Sequence, residues 1–433
     1  MNDAWFGLSE SILWTILVAG ISNTSCALLG CYLVLRRLSL LGDAISHAVL
    51  PGIVLAYLLT GTLGAVPIMI GAALFGVLTT LLTATLRDQG SVPEDAGMGV
   101  VFTSLFALGV ILLTTFAHDV HLDVDCVLYG LLEFIPLDTV SFAGWEIPRA
   151  LGGMALTLLL VLIFVFALWK ELKLVSFDDS LATAMGFSAT GLHYFLMSMV
   201  AIVTVTSFEA VGSILVIAML IVPAATAQLL TDRLRSMLIG AVLVGWIAAI
   251  GGALAATWLN TSVAGMMAVV AGLQFALAVF FAPRYGLVSR ALHTLSLTLR
   301  IYGEDVLATL YRQEEERASD AEPVAVPVWE ISAAGRGPSA WLVAPRLWWR
   351  GDVRPVPHGR LALTESGRQK AQSLVRAHRL WEAYIGSHFE LPLDHLHAPA
   401  ERWEHYVGPA LQAQMADELA QPGSDPHGRS IPE

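Results

Sequence analysis

The chain has 433 residues, 56% of them hydrophobic and 14% charged, with a mean hydropathy of +0.67. Soluble domains carry about a quarter charged residues, so a water-soluble globule is excluded, as are disordered and collagenous chains. Three cysteines are too few for a disulfide scaffold, and the net charge of −12 argues against a general nucleic-acid binder.

Up to about residue 283, apolar runs alternate with short polar stretches. Nine could span a bilayer: about 11–35, 44–61, 65–86, 97–116, 151–169, 191–208, 211–230, 235–258 and 262–282. The first is expected to be a span rather than a signal peptide, because Arg36 and Arg37 follow it instead of preceding it. The second begins polar and contains Pro51, which a spanning helix tolerates where neighbours satisfy the freed backbone groups. Arg36/Arg37, Arg87, Lys170/Lys173, Arg233/Arg235 and Arg284/Arg290 occupy alternate gaps, and the other gaps hold mainly Arg149 with acids and histidines. By the positive-inside rule the N-terminus is outside and the tail is cytoplasmic. The predicted fold is an all-α polytopic inner-membrane domain of about nine transmembrane helices, then a mainly α cytoplasmic domain. YGLLEFIP (129–136) could add a re-entrant piece.

Ionisable residues at membrane depth face a bundle interior or a water-filled path. In RRLSLLGDAISHAVLPGI (36–53), Asp43 and His47 are four residues apart, on one face of a helix. Carboxylate and imidazole together suit a first-row divalent cation. The same pair could instead cap a helix start and satisfy a nearby backbone group. The outer loop with His118, Asp119, His121, Asp123 and Asp125 reads as a cation funnel or a solvated turn, and Glu209 is a further costly acid of open role. On the inner side, FDDSLATAMGFSATG (177–191) reads as a short amphipathic docking segment, and VGSILVIAMLIVPAATAQLLTDRL (211–234) sets small residues around Pro223. No GxxxxGK[ST] loop occurs in the membrane half, so any nucleotide is bound by a separate subunit.

Together, LRRLSLLGDAISHAVLPGI, VLYGLLEFIP, VSFDDSLATAMGF and SILVIAMLIVPAATAQLLTDRL resemble the membrane permeases of zinc/manganese/iron ABC importers, over residues 10–285. The resemblance implies a permease pair, homodimeric or formed with a related chain. It also implies ATP-binding subunits, an extracytoplasmic metal-binding protein, Asp43 and His47 in the metal pathway, and 177–191 as the coupling element.

Beyond Arg300 no apolar run approaches a span, and seven of the 12 histidines lie between His358 and His427. Residues 315–340 read as a loop-rich join. In HRLWEAYIGSHFELPLDHLHAPAERWEHYV (378–407), a helix would present Glu401, Glu404 and His405 on one side. His378 and Glu382 form an i,i+4 pair on an earlier helix, and His397 precedes the cluster. Such N/O donors suit manganese or iron(II), but a solvated face with salt links to Arg379 and Arg402 has the same pattern.

LALTESGRQKAQSLVRAHRLWEAYI, HLHAPAERWEHYVGPALQAQM and DPHGRSIP resemble iron- and manganese-dependent repressors of the diphtheria-toxin-repressor type, from about Leu361 onward. That resemblance implies one metal site at His378, Glu382 and His397 and another at Glu401, Glu404 and His405. Glu401 resembles the manganese-responsive variety. Residues 301–316 and 337–360 read as a degenerate winged helix. With 19 acids against 13 bases between 301 and 433, DNA binding is not expected.

The expected organisation is therefore a transmembrane metal permease domain (1–285), a linker and winged-helix-like region (286–360), and a metal-binding and dimerisation domain (361–433). The expected cargo is manganese, with zinc or iron next. The same ion is expected to bind the tail as a regulatory ligand. The competing readings are a membrane-tethered metal-responsive transcription regulator and a tail that only dimerises.

Overall fold

The computed structural model describes residues 10–62, 65–116, 132–142, 145–317, 325–334, 339–389, 391–392 and 395–432. Two compact units divide the chain, Met1–Ser289 and Arg290–Glu433.

The first unit runs α1 (Glu10–Leu35), α2 (Ser39–Ala48), α3 (Leu50–Thr60), α4 (Ala65–Asp88), α5 (Glu94–Phe116), a hairpin of β1 (Thr139–Phe142) and β2 (Trp145–Pro148), α6 (Arg149–Ala167), α7 (Trp169–Phe177), α8 (Asp179–Ala184), α9 (Ala189–Val211), α10 (Ser213–Leu230), α11 (Leu234–Leu259) and α12 (Val263–Phe281). Among the described residues, eight helices are long and apolar enough to cross a membrane: α1, α4, α5, α6, α9, α10, α11 and α12. The run expected at 44–61 is instead divided between α2 and α3. Pro51 has no N–H to offer the carbonyl of residue 47, so one helical bond is lost at the junction. The bonds Val49 N–H to Ile45 (3.1 Å) and Ile53 N–H to Val49 (3.1 Å) carry the chain through, making a kink rather than a gap. At 1.5 Å per residue the pair amounts to about 30 Å of helix, enough to cross the hydrocarbon. The alternation of basic gaps requires that crossing.

Apolar residues line both the inside and the outside of this unit, and their positions separate packing from lipid contact. A large core is built around α1 and includes Tyr32, Leu33, Leu196, Met197 and Leu215. Ile70, Leu74, Ile111, Ile163, Ile239 and Leu273 are exposed, as suits a surface solvated by acyl chains. Small residues let backbones meet: a Cβ on Gly30 would fall 1.7 Å from the Leu220 carbonyl oxygen, and one on Gly52 2.3 Å from that of Gly71. Two polar pairs tie helices together, Ser22 Oγ with Ser207 Oγ at 2.9 Å and Trp246 Nε1–H donating to Thr24 Oγ1 at 3.0 Å.

Of the segment 129–136, residues 129–131 lie outside the described residues, as does the outer loop with His118, Asp119, His121, Asp123 and Asp125. Residues 132–137 form turns and a short 3-10 helix, and Glu133 Oε1 accepts the N–H of Val263 at the start of α12 (3.0 Å). Glu209 lies on α9, but its side chain is outside the described residues.

The helix α13 (Leu287–Glu316) begins at the end of the first unit and carries the chain into the second, which continues with β3 (Val326–Pro327), α14 (Val328–Ala334), α15 (Ser339–Trp349), β4 (Val353–Val356), β5 (Arg360–Leu363), α16 (Glu365–His388), α17 (His397–Trp403) and α18 (Pro409–Glu418). Helix, strand, two helices and an antiparallel hairpin, with sheet order β3–β5–β4, make a small winged helix with its own core around Leu307, Val343, Leu347 and Leu363. It is reduced, with two residues in β3 and seven in α14. The hairpin turns through His358 and Gly359, both left-handed (φ +68° and +67°). A second core joins α16 to α18 through Ala377, Leu380, Met415 and Ala416. Thr364 caps α16 by accepting the N–H of Gly367 (3.1 Å). A Cβ on Gly367 would sit 1.9 Å from the Asp352 carbonyl, so only glycine allows this approach.

Candidate metal centres

Within the membrane unit, α2 carries Asp43 and His47. The side chain of Asp43 lies outside the described residues. His47 is half-buried between two aromatic rings of α5, edge-on to Phe106 (centroids 5.7 Å apart) and tilted to Phe102 (6.1 Å). Gly42 brings α2 against α10, where a Cβ would meet Leu220 Cδ2 at 2.4 Å. The candidate pair therefore stands on a short helix, immediately before the kink at Pro51 and wedged between spans. Backbone irregularity at membrane depth is tolerated where neighbouring protein or a cavity satisfies it.

On the cytoplasmic side, Asp178 Oδ1 accepts the N–H of Leu181 (2.9 Å) and Ser188 Oγ that of Gly191 (3.1 Å), capping α8 and α9. Between them Gly186 turns left-handed, and Leu181, Met185 and Phe187 are exposed. The segment 177–191 thus presents an apolar knob. A polar cavity of about 510 Å³ beside it is lined by Arg36, Arg87, Asp179 and His193, with Arg36 and Asp179 3.5 Å apart.

The second unit gathers the tail donors. His378 and Glu382, one turn apart on α16, are 4% and 2% exposed. His378 Nε2 lies 3.1 Å from Glu382 Oε1 and 3.0 Å from His397 Nδ1, which is itself 2.9 Å from Glu382 Oε1. His378 Nδ1 is 2.5 Å from Glu404 Oε2. Two sets of three donors each fall within 4.8 Å: His378, Glu382 and His397, and Asp305, Glu404 and His405. Glu404, 3% exposed, belongs to the second set and hydrogen-bonds the first. His397 keeps an exposed side chain (55%), leaving the first set one side open to water. His427 Nε2, in the DPHGRSIP segment, is 3.9 Å from Glu382.

Two members of this constellation escape a reading of the tail alone. Glu304 Oε2 lies 2.8 Å from His405 Nδ1 and Asp305 Oδ1 3.2 Å from His405 Nε2, both contributed by α13, a hundred residues upstream. Glu401 is half-buried on α17 and falls in neither set. The expected side-by-side face of Glu401, Glu404 and His405 needs a helix through 405. The last helical residue of α17 is Trp403; its C-cap Glu404 keeps helical dihedrals (φ −52°, ψ −35°), one turn from Glu401, and His405 sits in the turn that follows.

The electrostatics follow from burial and pairing. Burial pushes the His378 ring towards neutrality, but its bonds to Glu382 and Glu404 outweigh this and raise its pKa. Burial likewise opposes the charge of His405, yet Asp305 and Glu304 hold it up to about 9. Glu382, against its own burial, is held down to about 2 by His378 and His397. Arg312 reaches Glu404 at 3.5 Å as an ion pair without hydrogen-bond geometry. The buried carboxylates are thus balanced by protons on imidazoles and by one guanidinium. A divalent ion can replace those protons, since it binds neutral imidazole and ionised carboxylate. Without thiolate among the donors, the set matches a harder ion such as manganese or iron(II) better than structural zinc.

A polytopic helical unit with a kinked inner helix, joined to a winged helix and a buried nest of imidazoles and carboxylates, defines a transport permease with a metalloregulator-like domain. The chain belongs to the ABC 3 transport family, which residues 9–282 match, and residues 364–433 match the iron dependent repressor, metal binding and dimerisation domain. It is 46% identical over 285 residues to the manganese transport system membrane protein MntD of Bacillus subtilis (strain 168), covering 66% of this chain and 96% of that one. It is 43% identical over 311 residues to the zinc transport system membrane protein TroD of Treponema pallidum (strain Nichols), covering 71% and 85%. The structure of PsaBC from Streptococcus pneumoniae in complex with Fab is similar at a TM-score of 0.54 and 29% identity, over 64% of this chain and 93% of that one.

Proposed function

We propose that this chain is the membrane subunit of an ATP-driven importer for a divalent transition metal, manganese first and zinc or iron next, and that its cytoplasmic domain binds the same ion as a regulatory ligand. Residues 1–285 serve as the permease, 286–360 as a connecting winged-helix region, and 361–433 as the metal-binding and dimerising part. The observation that carries the reading is Glu404, a buried carboxylate that belongs to one three-donor set and hydrogen-bonds His378 of the other, in a chain of a permease family.

Asp43 and His47 receive the dehydrated cation beside the kink of α2 and α3. A carboxylate and an imidazole replace part of its hydration shell, and Phe102 and Phe106 exclude water around His47. An extracytoplasmic metal-binding protein supplies the ion, and a second permease chain completes the path. ATP-binding subunits dock on the 177–191 knob through Leu181, Met185 and Phe187 and drive alternation between outward and inward states.

His378, Glu382 and His397 hold one regulatory ion, and Glu401, Glu404 and His405, joined by Asp305, the other. The ion supplies a positive charge that ties α13 to α16 and to the turn after α17. By linkage, an ion favouring one state of the domain biases any permease state coupled to it.

The test is manganese uptake by the full chain, reconstituted with its ATP-binding subunit, at increasing manganese on the cytoplasmic side. Wild-type uptake is expected to fall as that concentration rises, and Glu404→Gln to remove the fall. Equal inhibition in both proteins would overturn the regulatory part, while absence of ATP-dependent uptake in wild type would overturn the transport part.

A further inference from the structure

In a winged helix, α15 stands where a DNA-reading helix would, but its outward side is not suited to reading DNA. Ala340, Val343 and Leu347 are buried, whereas Trp341, Leu342, Trp348 and Trp349 are exposed by 62%, 65%, 57% and 89%. Among the described residues 339–351 the charged groups are Arg346 and Arg350. They make no ion pair among the described residues, and no acid occurs between 339 and 351. Base edges and phosphates are read by polar and cationic groups, not by three indoles and a leucine.

The same chemistry recurs on α13 just before it enters the winged helix. Leu287, Val288, Leu292 and Leu295 are exposed. At 100° per residue they fall within about 140° of one another, with Arg290, His293 and Arg300 on the rest of the circumference. No acid occurs between 283 and 303. The two helices pack on each other through the inner side of α15, where a Cβ on Gly303 would lie 3.3 Å from Leu347 Cδ2, and the exposed stripe of α13 lies on the turns before that contact. A cavity of about 380 Å³ among α13, α15 and α16 is walled by Leu299 and Leu347 and carries Arg346 and Arg350 at its rim, with Arg300 paired to Glu304 and Lys370 to Asp352.

We propose that this joint α13–α15 face docks on the anionic cytoplasmic leaflet of the membrane, indoles and leucines at the acyl boundary and arginines on the lipid phosphates. Three observations select lipid as the occupant. The arginines complement an anionic surface in a chain whose overall charge is −12. Tryptophan and an amphipathic basic helix are the residues that settle at the headgroup level. The last span ends at Phe281 and α13 begins at Leu287, so the tether keeps this face at high effective concentration near the bilayer. The winged helix then serves as a membrane anchor for the metal-binding part, not as a reader of operators.

The test places an environment-sensitive fluorophore at Trp349→Cys in the full chain, in a Cys126→Ser background in which Cys26 and Cys31 are buried. Nanodiscs carry doxyl-labelled lipid in phosphatidylcholine alone or with phosphatidylglycerol. In the anionic discs, emission should shift blue and be quenched at least about twofold more than in neutral ones. Arg346→Glu with Arg350→Glu should reverse this, and a label at exposed Gln421→Cys should respond in neither. Several results overturn the proposal: no quenching in either lipid, equal quenching in both lipids and in the charge-reversed variant, blue-shifted emission without quenching (a protein partner), or a blue shift only on adding duplex DNA.

Discussion

Replacing Glu404 with glutamine keeps the side-chain volume but removes a negative charge that both donor sets use. Its carboxylate is 3% exposed, lies 2.5 Å from His378 Nδ1, and shares a 4.8 Å cluster with Asp305 and His405. Loss of an outer-shell partner already weakens metal binding about 10–100-fold. Losing a donor is expected to cost the second site at least about 100-fold, or about 2.7 kcal/mol, and losing the partner of His378 to cost the first about 10-fold. Glu382→Gln touches only the first set and Asp305→Asn only the second, so each should weaken one binding step and spare the other. Calorimetric titration of manganese into the full chain in nanodiscs separates these cases, because the membrane unit contributes the same background to every variant. If Glu404→Gln titrates like wild type, or loses one step and keeps the other intact, the shared-carboxylate reasoning is wrong.

Arg379, 5% exposed as a side chain, binds both carboxylate oxygens of Glu315 (3.0 and 2.5 Å) and the Ser430 carbonyl (2.5 Å), clamping α13, α16 and the C-terminal segment together. Breaking a buried pair costs about 3–5 kcal/mol, and the partial exposure of Glu315 puts Arg379→Ala near about 3. Urea-dependent proteolysis of the tail measures it, and a loss below about 1 kcal/mol, the scale of a surface pair, would refute the clamp. In chelated protein, burial lowers the His405 pKa but Asp305 and Glu304 raise it to about 9. A raised pKa stabilises the fold fully below the unfolded value of 6.5, and the benefit is lost as pH climbs through about 9. The whole amounts to about 3 kcal/mol. His405→Gln should flatten that pH dependence in the same proteolysis assay, and an unchanged profile would assign it elsewhere. On the 177–191 knob, Leu181→Asp should weaken co-purification of the ATP-binding subunit by about 30-fold, the loss of a contact worth about 2 kcal/mol. Undiminished recovery would move the docking surface off α8.

Long features of this protein are legible in its sequence, and features that depend on distant contacts are not. Eight spans follow directly from apolar runs of bilayer length, and the alternating arginines carry their orientation. The ninth run is visible too, but its division at Val49–Leu50 is a local consequence of Pro51 that hydropathy does not register. The β1–β2 hairpin escapes because its strands are four residues each. His378 and Glu382 can be read from their i,i+4 spacing on a helix that spans Glu365–His388. Glu401, Glu404 and His405 are legible as an i, i+3, i+4 set, and only the end of α17 at Trp403, which puts His405 in the following turn, lies beyond the spacing. Glu304 and Asp305 could not be assigned from spacing at all. An acidic dyad on a helix is common, and only the fold carries it 101 residues along the chain to His405. The winged helix was readable as a remnant from its position, whereas the apolar exposure of α15 emerges only once Val343 and Leu347 are seen to take the inner side.

Manganese accumulation in vesicles containing the chain and its ATP-binding subunit, compared among wild type, Asp43→Ala and His47→Ala, bears most directly on the import route. ATP-dependent uptake is expected in wild type and its loss in both variants, with each still assembling with the ATP-binding subunit. Uptake in both variants equal to that of wild type would contradict the passage of the cation past α2.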